Sequence, residues 1–332
     1  MTMDVLVIGG NRFVGALVAW RLLARGDKVT LLNRGTLPDP FGARVERLRA
    51  DRTTAELARV VAGRRFDAVV DLAGYTGDDA RSAVAALGER VGHYVFISTG
   101  QVYLVREGCR LPAREADYDG PVMPRPPDGP DLPEWEYGVG KRGAENALDA
   151  AWREQGFPAT RIRIPMVNGE NDYYRRLDGY LWRMFDGGPV ILPDGGRQPC
   201  RHVYGDDVAR AVVALLGRRE TFGQAYNLAH SEAPTLRQLL EVLRDEAGSN
   251  AAFADVPTMV LRERGFLPAA ISPYSNPWMS HIDPARALAE LGFRPTPLHE
   301  VLARAVATFM NHPYREPPEN YARRAEERAL VS

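Results

Sequence analysis

Short apolar runs alternate with stretches of helical periodicity through the first half of the chain. Asp4-Val5-Leu6-Val7-Ile8 carries the apolar run of a buried strand and ends in glycines. Phe13 to Arg25 then repeats apolar residues at helical spacing, and Gly26 fits a C-terminal cap. Lys28 to Leu32 predicts a second strand, Val45 to Arg49 a third and Phe66 to Asp71 a fourth, the last preceded by a helical pattern at Thr54 to Val61. Asp79 to Leu87 reads as a helix and Tyr94 to Ser98 as a fifth strand. Further on, Gly138 to Trp152 is helical and Thr160 to Ile164 is another strand. Strands joined by helices of this length run parallel, and a parallel sheet needs cover on both faces.

Two segments break this rhythm. Gly108 to Trp135 is rich in Pro, Gly, Asp and Arg and reads as a long loop, either a surface excursion or a cover for a substrate. The tail after His312, Pro-Tyr-Arg-Glu-Pro-Pro-Glu, reads as a loosely packed surface segment. Apolar residues make up 45% and charged residues 26%, with a net charge of −1, so nothing in the balance implies a general attraction for nucleic acid or anionic membrane. The two cysteines, Cys109 and Cys200, cannot build a disulfide framework, and no Cys/His cluster has the spacing of a metal site. The apolar run Val5 to Ile8 is too short for a signal segment or a span, and the expected location is cytoplasmic.

The first strand runs into Gly9-Gly10-Asn11-Arg12-Phe13-Val14-Gly15 and then a helix. Glycines there permit a tight turn and close approach of backbone to a pyrophosphate, while the helix N-terminus offers unpaired N–H groups and a favourable dipole. In NAD-binding versions of this turn an acidic residue ends the second strand and bonds the ribose 2′-hydroxyl. Here that strand ends Leu32-Asn33-Arg34, and Arg12 sits in the turn itself. Two guanidinium groups without a carboxylate suit a 2′-phosphate, so the expected cofactor is NADP, with NAD as the alternative. Asp51-Arg52 after the third strand is a candidate for the adenine side, with Asp51 facing its amino group. Leu72-Ala73-Gly74 after the fourth strand is a candidate lining of the cofactor's other side.

Tyr137 and Lys141 stand four apart on one helical face. A phenol is a poor proton shuttle at neutral pH, and a lysine ammonium about 4 Å away lowers its pKa by several units before desolvation acts against it. The pair is therefore a candidate acid–base centre. The fifth strand ends Ile97-Ser98-Thr99-Gly100-Gln101-Val102-Tyr103, which puts hydroxyls at the edge where open α/β sheets bind ligands. His202, at a strand start, reads as structural, and Trp135 and Trp182 as core or loop anchors.

Taken in order, the glycine turn, the Ser-Thr-x-x-Val-Tyr strand end and the Tyr-x-x-x-Lys pair resemble those of extended short-chain dehydrogenases/reductases. Arg163-Ile-Pro165-Met-Val-Asn-Gly169, His202-Val203 with Asp206-Asp207-Val208-Ala209, Ala225-Tyr226-Asn227-Leu228 and Asp283 to Phe293 match as well, so the resemblance covers nearly the whole chain. The Gly-Gly-x-Arg-Phe-Val-Gly turn with Leu-Asn-Arg-Gly after it is most similar to the epimerase/dehydratase subgroup that includes chloroplast stem-loop-binding proteins. The resemblance implies Thr99 as the substrate-orienting hydroxyl, Ser98 as its cofactor-side neighbour, and Tyr137 and Lys141 as the catalytic pair. It also implies that backbone at Pro165, Met166 and Val167 passes the nicotinamide. Three positions depart from the pattern. Gly100-Gln101 replaces the Asp-Glu pair of sugar-nucleotide dehydratases, Met166 replaces an asparagine common in epimerases, and Arg12 replaces the middle glycine.

The expected architecture is α/β, a Rossmann-like doubly wound parallel sheet with a smaller interleaved C-terminal substrate domain. The dinucleotide-binding part is 1–165 with returning segments near 199–230, and 166–198 with 231–332 form the substrate-binding part. The expected function is hydride transfer between a nicotinamide and a small-molecule carbonyl/alcohol substrate through Thr99, Tyr137 and Lys141. A nucleotide-sugar epimerase is the alternative, and a nucleotide- or RNA-binding protein without catalysis a third reading that an intact Thr-Tyr-Lys set argues against. The resemblance allows a homodimer.

Overall fold

The computed structural model describes residues 2–170, 172–311 and 316–331. By Cα proximity the chain divides into two compact units, one formed by Met1–Pro165, Gly205–Ala229 and Ile282–Arg294, the other by Met166–Tyr204, His230–His281 and Pro295–Ser332.

The first unit is built on β1 (Asp4–Ile8), β2 (Lys28–Asn33), β3 (Glu46–Arg49), β4 (Ala68–Asp71), β5 (Tyr94–Thr99), β6 (Ala159–Ile164) and β7 (Ala225–Asn227). They form one parallel sheet in the order β7-β6-β5-β4-β1-β2-β3, the expected α/β architecture. Val5 to Ile8, Val69, Val70 and Tyr94 to Ile97 are buried, because helices cover the sheet on both sides and leave no wet face for polar alternation. Strand order reverses between β1 and β4, and doubly wound sheets open a crevice at the carboxyl ends of the strands on either side of such a reversal.

Several boundaries differ from the periodicity, each for a local reason. The fourth strand begins at Ala68, since Phe66 makes only an isolated bridge to Val91. The helix Gly77–Leu87 starts before Asp79 because Thr76 caps it. The Thr76 hydroxyl accepts the Asp79 N–H at 3.2 Å, and the Asp79 carboxylate accepts the Thr76 N–H at 2.9 Å. The long helix runs Asp131–Gln155, well upstream of Gly138. Pro133 hides this onset, yet a proline in the first turn gives up an N–H that has no helical acceptor there. The Pro-rich loop before it is anchored along its length. Ala113 is buried and pairs with Ile282, Glu115 accepts the Asn227 N–H at 2.7 Å, and Arg106 bridges to Val122.

In the second unit, helices Arg176–Phe185, Leu236–Glu246 and Leu298–Met310 pack Tyr180, Leu181, Leu239, Leu240 and Leu302 into one core. Val190–Pro193 pairs with Phe253–Val256, and Val167–Asn168 with Val203–Tyr204. Residues 312–315 lie outside the described ones, and Glu316, Pro317 and Glu319 of the segment read as surface are exposed. Beyond it Arg324 and Glu327 are buried, and Glu327 accepts from Arg183 at 2.5 Å. A buried guanidinium needs such a partner, so the stretch that carries Glu327 is held in place.

Each unit buries a neutral histidine. His93 accepts the Gly217 N–H on Nδ1 at 3.1 Å and faces Thr160 Oγ1 with Nε2 at 2.9 Å, and burial pushes its pKa down to about 4. In the second unit His202 Nδ1 faces the Asn168 amide at 2.7 Å, and burial takes its pKa to about 3. Folded-state values below the unfolded one mean that the unfolded chain binds more protons in acid. The stability is therefore present above about pH 6.5 and is lost as pH falls toward 4 and 3. Between pH 7 and 5 each site is expected to cost about 2 kcal/mol. Guanidinium unfolding at the two pH values checks this, and a pH-independent midpoint would refute it.

Candidate functional site

At the carboxyl ends of β1 and β4 the chain packs backbone closely against its neighbours. Gly9 has φ +89°, its N–H donates to Leu32 O at 3.0 Å, and a side chain on it would come within 3.1 Å of Ala73 Cβ. A Cβ on Gly10 would lie 2.8 Å from Leu31, and one on Gly15 2.7 Å from the Gly9 carbonyl. The helix Phe13–Arg25 can start against the turn only because these positions carry no side chain. Phe13 has φ +37°, a left-handed value that fits a sharply constrained entry to the helix. No acidic residue occupies its first turn, so its N-terminal field is open to an anion. Bare turn and unopposed dipole together fit a dinucleotide pyrophosphate. Val14 is buried in the helix behind the turn.

Next to the turn, the Asn33 amide donates to Asn11 Oδ1 at 2.6 Å, and Asn33 Oδ1 accepts the Gly35 N–H at 2.9 Å. Arg12 and Arg34 are exposed. A third guanidinium joins them, which sequence reasoning missed. Arg49 pairs in register with Asn33, donates to its Oδ1 and lies against Gly35. The signal was present, since Arg49 ends a strand that lies beside β2 in a parallel sheet and so shares its carboxyl edge.

The adenine-side candidates are otherwise engaged. The Asp51 carboxylate accepts from the Thr53 N–H at 2.9 Å and hydroxyl at 2.7 Å, and these bonds lower its pKa. Arg52 is buried. It donates to Asp71 at 2.5 Å and to the Asp79 carbonyl at 2.7 Å, while the Tyr94 hydroxyl donates to the same Asp71 oxygen. Leu72 continues the β4 edge with its N–H on Ile8 O at 3.0 Å, the Ala73 N–H donates to Asp71 at 2.9 Å, and Gly74 is buried against Phe96 and Arg52.

At the end of β5, the Thr99 hydroxyl accepts the Gln101 N–H at 3.3 Å and is nearly buried. The Ser98 hydroxyl is turned inward and donates to Glu145 at 2.5 Å. Glu145 also takes Arg163 at 2.6 Å, a buried pair that fixes the long helix to β5 and β6. Lys141, one helical turn after Tyr137, is 3% exposed and donates to the Ile97 carbonyl at 2.8 Å. Its Nζ lies 5.9 Å from the centroid of the Tyr137 ring. Burial pushes the Lys141 pKa down to about 8, against the pull of Asp71, Glu145 and Asp79. Gln101, where dehydratases carry an acid, donates its amide to Glu134 at 2.5 Å, a carboxylate from the turn preceding Tyr137 that sequence reasoning also missed. Pro165 ends the first unit's early segment. Met166 packs on the core of the second unit, and Val167 pairs there with Val203.

A family model described as the NAD dependent epimerase/dehydratase family matches residues 5–229. The chain belongs to that family. Its relatives include the 2'-dehydrokanamycin reductase of Streptomyces kanamyceticus, 28% identical over 74% of this chain and 67% of the relative. The chloroplast stem-loop binding protein of 41 kDa b from Arabidopsis thaliana is 23% identical over 74% of this chain and 63% of its own length. Among solved structures, UDP-glucose 4-epimerase of Thermotoga maritima superposes with a TM-score of 0.74 at 20% identity, over 94% of this chain and all of the other. dTDP-glucose 4,6-dehydratase of Streptomyces venezuelae, solved with NAD, gives 0.70 at 22% identity over 94% and 99%. These likenesses fix the Rossmann-type fold, and the family is one of nicotinamide-dependent enzymes. Among the described residues no helix is long and apolar enough to cross a membrane.

An ammonium that burial disfavours is a cost to the fold. Replacing Lys141 with Met keeps the reach and removes the charge, and it is expected to raise the unfolding free energy at pH 7 by roughly 1–3 kcal/mol. Thermal unfolding checks this, and a destabilised variant would show that the ammonium's partners outweigh its burial.

Proposed function

We propose that the chain is an NADP-preferring carbonyl reductase of the extended short-chain type. The observation that carries this reading is the placement of Lys141, buried against the β5 carbonyl that precedes Ser98-Thr99 and one helical turn from Tyr137. A reduced nicotinamide, held by the Gly9–Gly15 turn, supplies hydride when bound. Thr99 orients the substrate oxygen, Tyr137 gives it a proton, and Lys141 provides the positive charge that eases that transfer. Reduction is supported by the relative named as a reductase of 2'-dehydrokanamycin. A neutral amide at Gln101, tied to Glu134, supports reduction over dehydration. The neighbouring epimerase structures support the second reading, an enzyme that oxidises and re-reduces one sugar nucleotide with a retained cofactor. The protein is inferred to act in the cytoplasm on a small molecule, as a homodimer.

Retention separates the two readings. A reductase exchanges its cofactor every cycle, so protein denatured after purification should release little nucleotide, and the native enzyme should consume NADPH stoichiometrically with a carbonyl substrate. Full occupancy with epimer formation in the absence of added cofactor would replace the reductase by the epimerase. In the same assay Tyr137→Phe should cut turnover by about 10²–10⁴-fold and leave dinucleotide affinity intact.

Cofactor choice is assigned to Arg34 and Arg49, together with Arg12 of the glycine turn. A charge-assisted contact is worth about 1.5–3 kcal/mol, or roughly 10- to 150-fold in affinity. Arg34→Ala combined with Arg49→Ala should weaken NADP by at least that factor and NAD far less, as measured by titration of dinucleotide fluorescence. Equal losses for the two dinucleotides would refute the assignment.

A further inference from the structure

Tyr75, in the turn after β4, is 53% exposed, an unusual position for a ring this size beside a candidate active site. Its other side is engaged. The Lys141 ammonium lies 5.0 Å from its centroid, and the Tyr137 ring 6.2 Å away. Phe96 presents its face to the same ammonium at 4.8 Å. Nζ thus meets one carbonyl, Ile97 O, and three aromatic rings. We propose that Tyr75 is a positioning residue for Lys141, its ring forming the outer wall of an aromatic enclosure that keeps water from the ammonium. The proposal rests on the reading of Lys141 as part of the proton-transfer set.

The wall is set rigidly. The N–H groups of Tyr75 and Thr76 both donate to Asp79 Oδ2, at 2.8 and 2.9 Å, and the Asp79 carbonyl holds Arg52 at 2.7 Å. On its other flank, a side chain at Gly140 would come within 2.6 Å of the Tyr75 carbonyl. The helix that carries Tyr137 and Lys141 is therefore seated on the backbone of Tyr75 itself, and the bare surface at Gly140 lets the ammonium reach the ring. The charged groups around Nζ are Asp71 at the end of β4, Asp79 on the helix after Tyr75, Glu145 on the lysine's own helix and Arg52 after β3. The three carboxylates favour the ammonium and Arg52 opposes it, yet burial prevails and leaves the lysine at about 8.

The ring acts on the lysine in two opposite senses. By excluding water it disfavours the charge, and by offering its π face it favours the charge, the second effect being the smaller for a fully enclosed group. Substitutions can separate them. Ala removes both, and Leu keeps most of the bulk while removing the π face. Phe keeps both.

The chain contains two lysines, Lys28 and Lys141, so protein labelled with [ε-¹³C]lysine gives two signals whose titration NMR can follow without substrate or cofactor. Lys28, mostly exposed and paired with Asp4, is the internal reference and reports on the fold. Tyr75→Phe should leave the Lys141 midpoint where it is. Tyr75→Ala should raise it by about one pH unit, and Tyr75→Leu should lower it. Midpoints that stay put in both Ala and Leu variants, or that move in the same direction, would overturn the proposal. If the Ala variant does not fold, Leu decides alone, and an unchanged or higher midpoint is the refuting result. Wild-type protein that titrates as described yet binds no dinucleotide would remove the reading of the site and leave the enclosure standing.

Discussion

The burial of one ammonium group organises much of the first unit. Water solvates a lysine head group on all sides, and an interior position must replace that solvation or depress the charge. At Lys141 the replacement is partial. One donor reaches the Ile97 carbonyl, rings cover the rest, and carboxylates at Asp71, Asp79 and Glu145 supply a negative field from three directions. The requirement extends outward. Asp71 and Asp79 are themselves held by Arg52, and Glu145 by Arg163, so each charge near the lysine belongs to a pair. The approach of the helix to the sheet edge demands bare backbone at Gly140. At Gly138 a side chain would come within 2.6 Å of Val105.

The same layout explains which parts of the fold were legible in the sequence. Parallel strands buried on both faces announce themselves as apolar runs, and β1, β4 and β5 were read within a residue or two of their limits. The long helix was cut short at its start because Pro133 resembles loop chemistry, whereas a first-turn proline is compatible with a helix. Composition alone does not show that Glu327, beyond the exposed tail segment, is the partner of a guanidinium far away in sequence.

Among the candidate residues, the approach of Lys141 to Tyr137 and the place of Thr99 at the end of β5 were legible, because spacing along one helix and one strand is a property of the sequence. Arg49 was legible only through the pairing of its strand with β2, and Tyr75 was not legible, since its contact with Lys141 comes from another element. Ser98 and Arg52 illustrate the converse. Their positions at strand ends were legible, but the direction of the side chain depends on Glu145 in one case and on Asp71 with Asp79 in the other.

The pairing of Arg183 with Glu327 bears on how the protein is made. The two residues are 144 positions apart, and Arg183 is fully buried in the finished unit. A ribosome adding about 5–20 residues per second leaves that guanidinium without its carboxylate for roughly 7–30 seconds. The first unit waits too, because β7 and Ile282–Arg294 reach it only after long stretches of the second have emerged. Both units are therefore completed only by segments that emerge after the middle of the chain. While Arg183 waits for Glu327, the apolar surface around that guanidinium is incompletely covered, and this interval is one in which chaperones would find it exposed.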